Sequence, residues 1–380
     1  MLDIIAEQVD KSDVEKERPN HLILAEHSIV EEPKQRGDAG GGLPKHKNSH
    51  LEALTERHTV DSMTESWLKF GKDPKFIIMT EKQTVLVTGA SGLLGRSIVS
   101  ELEKNSGFTI IKCAFSRTRD GYVKMNLLNE ADIQETLQRF RPCAVIHCAA
   151  ERFPNKVEEN LEEVKKLNVR ASEVLALEAD KIGAFIIYIS TDYVFDGLNP
   201  PYSEDSVPNP VNKYGATKLL GEKAVLGVNP ANVVLRVPVL YGPVTSIEES
   251  AITVLLKAVR EEKPQLVSDI EIRYPSHTED ISYIVHQLLK LKLNDTRCIH
   301  GIYHWSGKEA LTKFQMVKVI ANVLGLTASH ISPDRDETKL STGPLRPKNC
   351  QLSAARIDDL GIGKHTPFSD GILCALRKHV

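Results

Sequence analysis

The segment "TVLVTGASGLLGR", from Thr84 to Arg96, decides how this chain folds, because it passes from a strand through a glycine loop into a helix. The run "TVLVT" has the β-branched character of a strand. Gly89, Gly92 and Gly95 follow at intervals of three residues, and a helical pattern begins around them. Such a turn brings the backbone close to a pyrophosphate, and the helix N-terminus offers it N–H donors. The segment therefore predicts a dinucleotide-binding loop.

Short β-rich runs continue to alternate with stretches of helical length after this loop. The runs are "TIIKCAF", "AVIHCAA", "FIIYIST" and "NVVLRVP". This alternation is typical of βαβ units around a parallel sheet. We therefore expect an α/β fold, with a Rossmann-type doubly wound parallel sheet followed by a smaller C-terminal α/β domain.

The pattern divides the chain into three regions. Residues 1–82 carry scattered charge and a "GDAGGGLPKHKN" tract, which predicts a mostly disordered extension with one weak amphipathic helix around "HTVDSMTESWLKF". Residues 83–240 are assigned to the nucleotide-binding domain. Residues 241–380 are assigned to the smaller domain, which serves a substrate or a partner and includes a helix predicted at "ESAITVLLKAV".

Composition excludes several classes of function. The 380 residues are 41% hydrophobic and 26% charged, as in globular proteins, and a net charge of -3 gives no general reason to expect nucleic acid as a partner. No apolar run approaches the roughly 18 residues of a membrane span. The 6 cysteines show no CxxC pair and no zinc-like spacing, so no metal site is predicted. The first residues support neither secretory nor mitochondrial targeting, and we expect a cytoplasmic protein with reduced thiols.

The end of the second strand, "AFSRTR", indicates which dinucleotide binds. An NAD-selective site places an acidic residue there to bond the ribose hydroxyls, and this segment has none. Ser116, Arg117 and Arg119 occupy the turn, and an arginine matches a 2′-phosphate. NADP is therefore the predicted cofactor, with Arg117, nearer the strand, as its main partner; a solvated basic loop is the alternative. Three further residues are placed beside the cofactor: Asn126, Leu127 and Cys148.

A candidate catalytic group follows the strand "FIIYIST". Thr191 ends that strand, and the later motif "YGATK" contains Tyr214 and Lys218, which share one face of a helix because they are four residues apart. A nearby ammonium favours the phenolate form of tyrosine, which can exchange a proton with a carbonyl or hydroxyl group. Lys218 could also hold the nicotinamide ribose, and Thr191 could orient the substrate oxygen. His147, on an earlier strand, is interpreted as a core residue.

At these residues the sequence resembles the extended short-chain dehydrogenase/reductases, and within them the dTDP-4-dehydrorhamnose reductase family. The matching motifs are "STDYVFDG" (190–197), "PYSE" (201–204) and "PVNKYGATKLLGE" (210–222). Other segments resemble the regulatory β subunits of methionine adenosyltransferase, an NADP-binding family related to those reductases. These segments are "HCAAERFP", "IEESAITV", "RYPSHTEDI", "YHWSG", "RPKNCQL" and "LGIGKHTPF". The resemblance covers about residues 84–376.

The resemblance implies a nucleotide site and a partner. Its site falls on Ser91, Gly92, Leu93, Leu94, Phe115, Ser116, Arg117, Asn126, Leu127, Cys148, Arg152, Tyr214 and Leu240. Arg152 either contacts the cofactor or is a surface arginine. The implied partner is the methionine adenosyltransferase catalytic subunit, in a hetero-oligomer. The segment Phe368–Val380 either helps to dock on that partner or caps the core of the second domain.

The sequence leads to three hypotheses about the function of this protein. The first, which we favour, is an NADP-binding, non-catalytic regulatory subunit that modulates S-adenosylmethionine synthesis. The second is an NADPH-dependent sugar-nucleotide reductase in which Tyr214 donates a proton, Lys218 tunes it and Thr191 orients the carbonyl. The third is a redox sensor or scaffold that reports the NADP state. The sequence does not separate the first two readings, because all three reductase-type residues are present.

Overall fold

Strands and helices alternate along the part of the chain that the computed structural model describes, which is residues 82–105, 107–294, 298–338 and 343–380. The strands are β1 (Gln83–Thr88), β2 (Phe108–Ala114), β3 (Tyr122–Lys124), β4 (Ala144–His147), β5 (Phe185–Thr191), β6 (Val233–Val237), β7 (Leu240–Tyr241), β8 (Gln265–Ser268), β9 (Ser276–His277), β10 (Gly301–His304) and β11 (Ile331–Asp334). The α-helices are α1 (Leu93–Lys104), α2 (Glu130–Phe140), α3 (Pro154–Glu159), α4 (Leu161–Lys165), α5 (Ala171–Lys181), α6 (Lys213–Val228), α7 (Leu256–Arg260), α8 (Thr278–Leu293), α9 (Lys313–Val323), α10 (Ala355–Leu360) and α11 (Phe368–Leu376).

Seven strands form one parallel sheet in the order β10-β6-β5-β4-β1-β2-β3. Its central strands are almost wholly buried, as expected for a parallel sheet covered on both faces. The chain first winds outward from β1 to β3 and then crosses back to β4 on the other side of β1. This order confirms the predicted α/β fold with a doubly wound parallel sheet.

Helices cover both faces of the sheet with apolar side chains. On one face, α1 and α8 pack together through a core that includes Ile98, Leu102, Ile284 and Leu288. On the other face, α2, α5 and α6 contribute the core residues Ile133, Leu137, Leu175 and Val225. Because α8 and β10 come from beyond residue 241, the large sheet and its layers draw on both halves of the chain. The division into domains at residue 240 stays a prediction.

A separate apolar core joins the remaining C-terminal elements. Its members include Leu256 of α7, Ile320 of α9, and Phe368, Ile372 and Leu376 of α11. The last three are at most 1% exposed. They therefore cap this core, which is one of the two roles predicted for the C-terminal segment. Leu373, on the opposite side of α11, is 47% exposed. Two short parallel strand pairs, β8 with β11 and β7 with β9, complete this region.

The helix predicted at "ESAITVLLKAV" is wrong over its first half. The chain instead forms 3₁₀ turns at residues 247–249 and 253–255, and α7 begins only at Leu256. Ser250 between the two turns is extended, and its hydroxyl donates to the carbonyl oxygen of Leu240 at 2.7 Å. Glu249 is therefore the last residue of a 3₁₀ turn and lies outside any α-helix.

Some predictions fall on residues without described structure. The extension at residues 1–81 and the helix around "HTVDSMTESWLKF" lie outside the described residues. Within the described ranges, no helix has both the length and the apolar character needed to cross a bilayer. The same residues contain no cluster of three His, Cys, Asp or Glu side chains suited to a metal ion.

Gly95 tests the packing on which the sheet and α1 depend. A Cβ atom at this position would lie 2.2 Å from the carbonyl oxygen of Gly89, which is backbone and cannot swing away. We expect Gly95→Ala to lower the free energy of unfolding by about 3 kcal/mol, measured by chemical denaturation. Gly227→Ala is the matched control, because at this exposed helical glycine an added methyl group would have no neighbour within 4 Å. It should be neutral or slightly stabilising; equal losses for both variants would contradict the packing argument.

Candidate nucleotide-binding site

A cleft of about 800 Å³ opens at the carboxyl ends of the parallel strands, where the strand order reverses between β1 and β4. Ligands of doubly wound sheets bind at this switch point, and the volume is typical of a small-molecule site. The cleft brings together every predicted site residue: Gly89, Ser91, Gly92, Leu93, Leu94, Gly95, Phe115, Ser116, Arg117, Asn126, Leu127, Cys148, Arg152, Thr191, Tyr214, Lys218 and Leu240. Whether they bind a nucleotide stays a prediction.

The glycine loop leaves room for a phosphate group at the start of α1. Gly89 has a φ of +63°, and a Cβ atom there would lie 2.8 Å from the backbone nitrogen of Ala149. Gly92 is the N-cap residue of α1, and among the described side chains none caps this helix. The first-turn N–H groups of a helix have no partner within it, so they can donate to an anion. The loop therefore fits the pyrophosphate of a dinucleotide.

The end of β2 places a guanidinium at the mouth of the cleft. Arg117 lines the cleft and donates from Nη1 to Glu249 Oε1 at 2.9 Å. Arg119 lies over the ring of Tyr122 and does not line the cleft. Of the two arginines that the sequence offered, Arg117 is therefore the one in position to meet a cofactor phosphate.

The other cofactor residues occupy the floor and walls of the cleft. Asn126 shapes its loop, because its backbone N–H donates to Asp132 Oδ2 and its side-chain oxygen accepts from the N–H of Leu128. Burial raises the pKa of the Cys148 thiol to about 12, so this group stays protonated. Arg152 donates from Nη2 to the carbonyl oxygen of Glu249 and lies over the ring of Phe153.

The reductase-type residues line the same cleft. Tyr214 lies at the start of α6, edge-on to the ring of Tyr193. Lys218, one turn further along α6, donates from Nζ to the carbonyl oxygen of Ile189 at 2.8 Å. The helix begins where it does because the Asn212 side chain accepts a hydrogen bond from the N–H of Gly215.

Burial shifts the pKa values of both Tyr214 and Lys218. It raises the pKa of Tyr214 above its ordinary value, and the influence of Thr191 offsets only part of this effect. Burial also lowers the pKa of Lys218 to about 7, against the opposing influence of Glu222 and Cys148. Tyr214 therefore keeps its proton at neutral pH, and the predicted influence of the Lys218 ammonium on Tyr214 stays a prediction. A neutral phenol can still donate a proton to a carbonyl oxygen.

A buried ion pair near Lys218 connects α6 to β6. Glu222 accepts from Arg236 in a bidentate pair at 2.9 and 2.7 Å, and both side chains are at most 2% exposed. The hydroxyl of Ser190 also donates to Glu222. A bidentate pair of this kind holds α6 and β6 in one register. His147 bridges Thr88 and Ser172 inside the sheet, which agrees with its interpretation as a core residue.

The structure adds cleft residues that the sequence reasoning missed. They are Asp192, Glu249, Arg273, Lys313 and Arg346. Burial raises the pKa of Asp192 to about 7, and Arg273 opposes this shift. Asp192, Arg273 and Arg346 lie within the quoted motifs "STDYVFDG", "RYPSHTEDI" and "RPKNCQL", which was the available signal. Glu249 likewise lies within the quoted motif "IEESAITV", whereas Lys313 gave no comparable signal.

The fold, the glycine loop and the Tyr-x-x-x-Lys pair together define a protein of the extended short-chain dehydrogenase/reductase class. The family model described as RmlD substrate binding domain matches residues 83–379. A solved dTDP-4-dehydrorhamnose reductase from Bacillus anthracis in complex with NADP is 24% identical, with a TM-score of 0.68 over 78% of this chain and 99% of that chain. UDP-glucose 4-epimerase from Thermus thermophilus in complex with NAD is 21% identical, with a TM-score of 0.66 over 78% of this chain and 100% of that chain. At these identities the two structures show the fold, and both hold a nicotinamide dinucleotide.

A curated relative narrows the class. "Methionine adenosyltransferase 2 subunit beta" of Xenopus tropicalis is 47% identical over 288 residues, which are 76% of this chain and 85% of that protein. This chain belongs to the RmlD substrate binding domain family and, within it, to the family of methionine adenosyltransferase 2 β subunits. The predicted resemblance is confirmed.

Lys218 gives a testable pH dependence. Its pKa of about 7 lies below its ordinary value of 10.5, so between these values the unfolded chain binds a proton that the folded chain lacks. Raising the pH through this window therefore favours the folded state. We expect the melting temperature of the wild type, relative to Lys218→Met, to rise from pH ~7 to pH ~10.

The exposed Lys223 on the same helix is the matched control. Its change to Met should give a difference in melting temperature that does not vary with pH, because this side chain lies in solvent in both states. A Lys218→Met difference that is equally flat would contradict the buried position of the Lys218 ammonium.

Proposed function

We propose that this chain is a cytoplasmic, NADP-binding regulatory subunit that assembles with a methionine adenosyltransferase catalytic subunit and modulates S-adenosylmethionine synthesis. The observation that carries this proposal is the 47% identity to a named β subunit over 85% of that protein's length. Identity spread over most of the relative supports a shared role better than a shared cofactor loop alone. The solved reductase and epimerase, at 24% and 21% identity, support the fold.

NADP is the proposed cofactor because of the residues at the mouth of the cleft. The glycine loop and the uncapped start of α1 fit a pyrophosphate. Arg117 follows β2, where a 2′-phosphate can accept charge-assisted hydrogen bonds from a guanidinium. Lys218 and Tyr214 line the same cleft and would contact the nicotinamide half.

Arg117→Ala tests the cofactor assignment. We expect the affinity for NADP to fall by about 10- to 100-fold, since a hydrogen bond to a charged group is worth about 1.5–3 kcal/mol. The affinity for NAD should change little. Arg119→Ala, which removes a guanidinium outside the cleft lining, is the control and should leave both affinities intact. Equal losses of NADP and NAD affinity in a binding titration of Arg117→Ala would overturn the assignment.

Co-expression with a methionine adenosyltransferase catalytic subunit from the same organism tests the partner. We expect one hetero-oligomer by size-exclusion chromatography with light scattering, and an altered rate of S-adenosylmethionine formation. A dTDP-4-dehydrorhamnose reductase, which shares the fold, is the control and should elute separately. Separate elution of this chain as well, with an unchanged rate, would reject the regulatory role.

A sugar-nucleotide reductase is the second candidate, because Thr191, Tyr214 and Lys218 line the same cleft. Reduced nicotinamide, when bound, supplies a hydride. Tyr214 holds a proton at neutral pH and could donate it to a carbonyl oxygen, while the Thr191 hydroxyl orients that oxygen. These residues support a capacity for carbonyl reduction, whereas the curated relative supports the regulatory role.

A further inference from the structure

Glu249 brings a carboxylate to the mouth of the cleft from a distant part of the chain. Its Oε2 accepts from Arg96 Nη2 at 2.8 Å, and its Oε1 accepts from Arg96 Nη1 at 3.1 Å and from Arg117 Nη1 at 2.9 Å. Its backbone oxygen accepts from Arg152. These arginines belong to the three segments that follow β1, β2 and β4, so one residue ties together the loops that surround the predicted nucleotide.

The Glu249 carboxylate is firmly held in this position. Its side chain is 11% exposed, and the N–H of Thr245 also donates to Oε2 at 2.8 Å. Arg96 is anchored in turn, because Nη1 donates to the carbonyl oxygen of Ser91 in the glycine loop. Burial raises the pKa of Glu249, but the hydrogen bonds from Arg96 and Thr245 outweigh it and lower the pKa to about 2. The carboxylate is therefore charged throughout the physiological range.

The backbone beside Glu249 is fixed, whereas its contact with Arg117 is not. Ser250 and Ile252 are each 1% exposed, and the Ser250 hydroxyl donates a hydrogen bond to the carbonyl oxygen of Leu240. Ile252 belongs to the apolar core of the C-terminal elements, so this segment is anchored there. The Arg117 side chain is 59% exposed and can turn without disturbing any packing. An exchange of partners at Arg117 is thus a local event, which leaves the Arg96 pair in place.

We propose that Glu249 is an internal counter-anion of Arg117, which in the protein without ligand holds the guanidinium that a cofactor 2′-phosphate would take and so reduces the preference of the cleft for NADP over NAD. The inference rests on the proposed NADP site. The entering phosphate replaces the carboxylate on Arg117 and meets the negative charge of Glu249 nearby. NAD, with a 2′-hydroxyl, carries no such charge and can donate a hydrogen bond to a carboxylate.

Glu249→Gln tests this inference, because it removes the charge and keeps an acceptor for Thr245 and Arg96. We expect the affinity for NADP to rise about fivefold, as the loss of a partly exposed ion pair allows, with NAD affinity unchanged or lower, in calorimetric titrations of the full chain. The gain should shrink at high salt, which screens the repulsion. In an Arg117→Ala background the same change should have a smaller effect on NADP, because the competition at Arg117 is gone.

Glu248→Gln is the matched control. Glu248 pairs with Lys257 at the surface and does not line the cleft, so its change should alter neither affinity. Weaker NADP binding by Glu249→Gln would overturn the inference, since Glu249 would then position Arg117 for the phosphate. Equal changes for NADP and NAD would overturn it as well and leave the NADP site intact. If neither the wild type nor Glu249→Gln binds NADP, the cofactor proposal fails together with the inference.

Discussion

The close approach of α1 to the end of β1 is the constraint on which the rest of the structure depends. The backbone of Gly89 and Gly95 is so near that a single Cβ atom at Gly95 would lie 2.2 Å from a carbonyl oxygen. This contact points the N-terminus of α1 at the carboxyl edge of the sheet and seats the helix against α8. The same loop therefore sets the packing of one sheet face and the position of the candidate nucleotide cleft.

The region around Lys218 also shows how this chain pairs its buried charged groups. Glu222 and Arg236 are fully paired, and Lys218 uses a backbone carbonyl oxygen as its partner. A buried ion pair adds little net stability, because desolvation opposes the Coulomb attraction, but loss of one partner is costly. We infer that the main role of the pair is to hold α6, and with it Tyr214 and Lys218, in a fixed position.

Local patterns in the sequence were sufficient for the fold and for most of the cleft. The glycine spacing, the β-rich runs and the Tyr-x-x-x-Lys spacing are all set by neighbouring residues, so the doubly wound parallel sheet and the residues at its carboxyl edge could be predicted. The contact between Glu249 and Arg117 could not be predicted, because it spans 132 positions of sequence. The absence of an acid after β2 favoured NADP on local grounds, yet folding supplies an acid to the same place. The helix predicted over Glu249 failed for a related reason, since the hydrogen bond of Ser250 to Leu240 is a tertiary contact.

The central claim is that a reductase-type cleft serves here for binding and regulation, with the proton donor Tyr214 retained but not used for turnover. The most direct measurement is the rate of NADPH oxidation by the chain assembled with its catalytic subunit, in the presence of a panel of 4-keto sugar nucleotides. The account predicts a trace rate that is the same for the wild type and for Tyr214→Phe, while S-adenosylmethionine formation remains altered by both. Rapid oxidation by the wild type that disappears in Tyr214→Phe would contradict it.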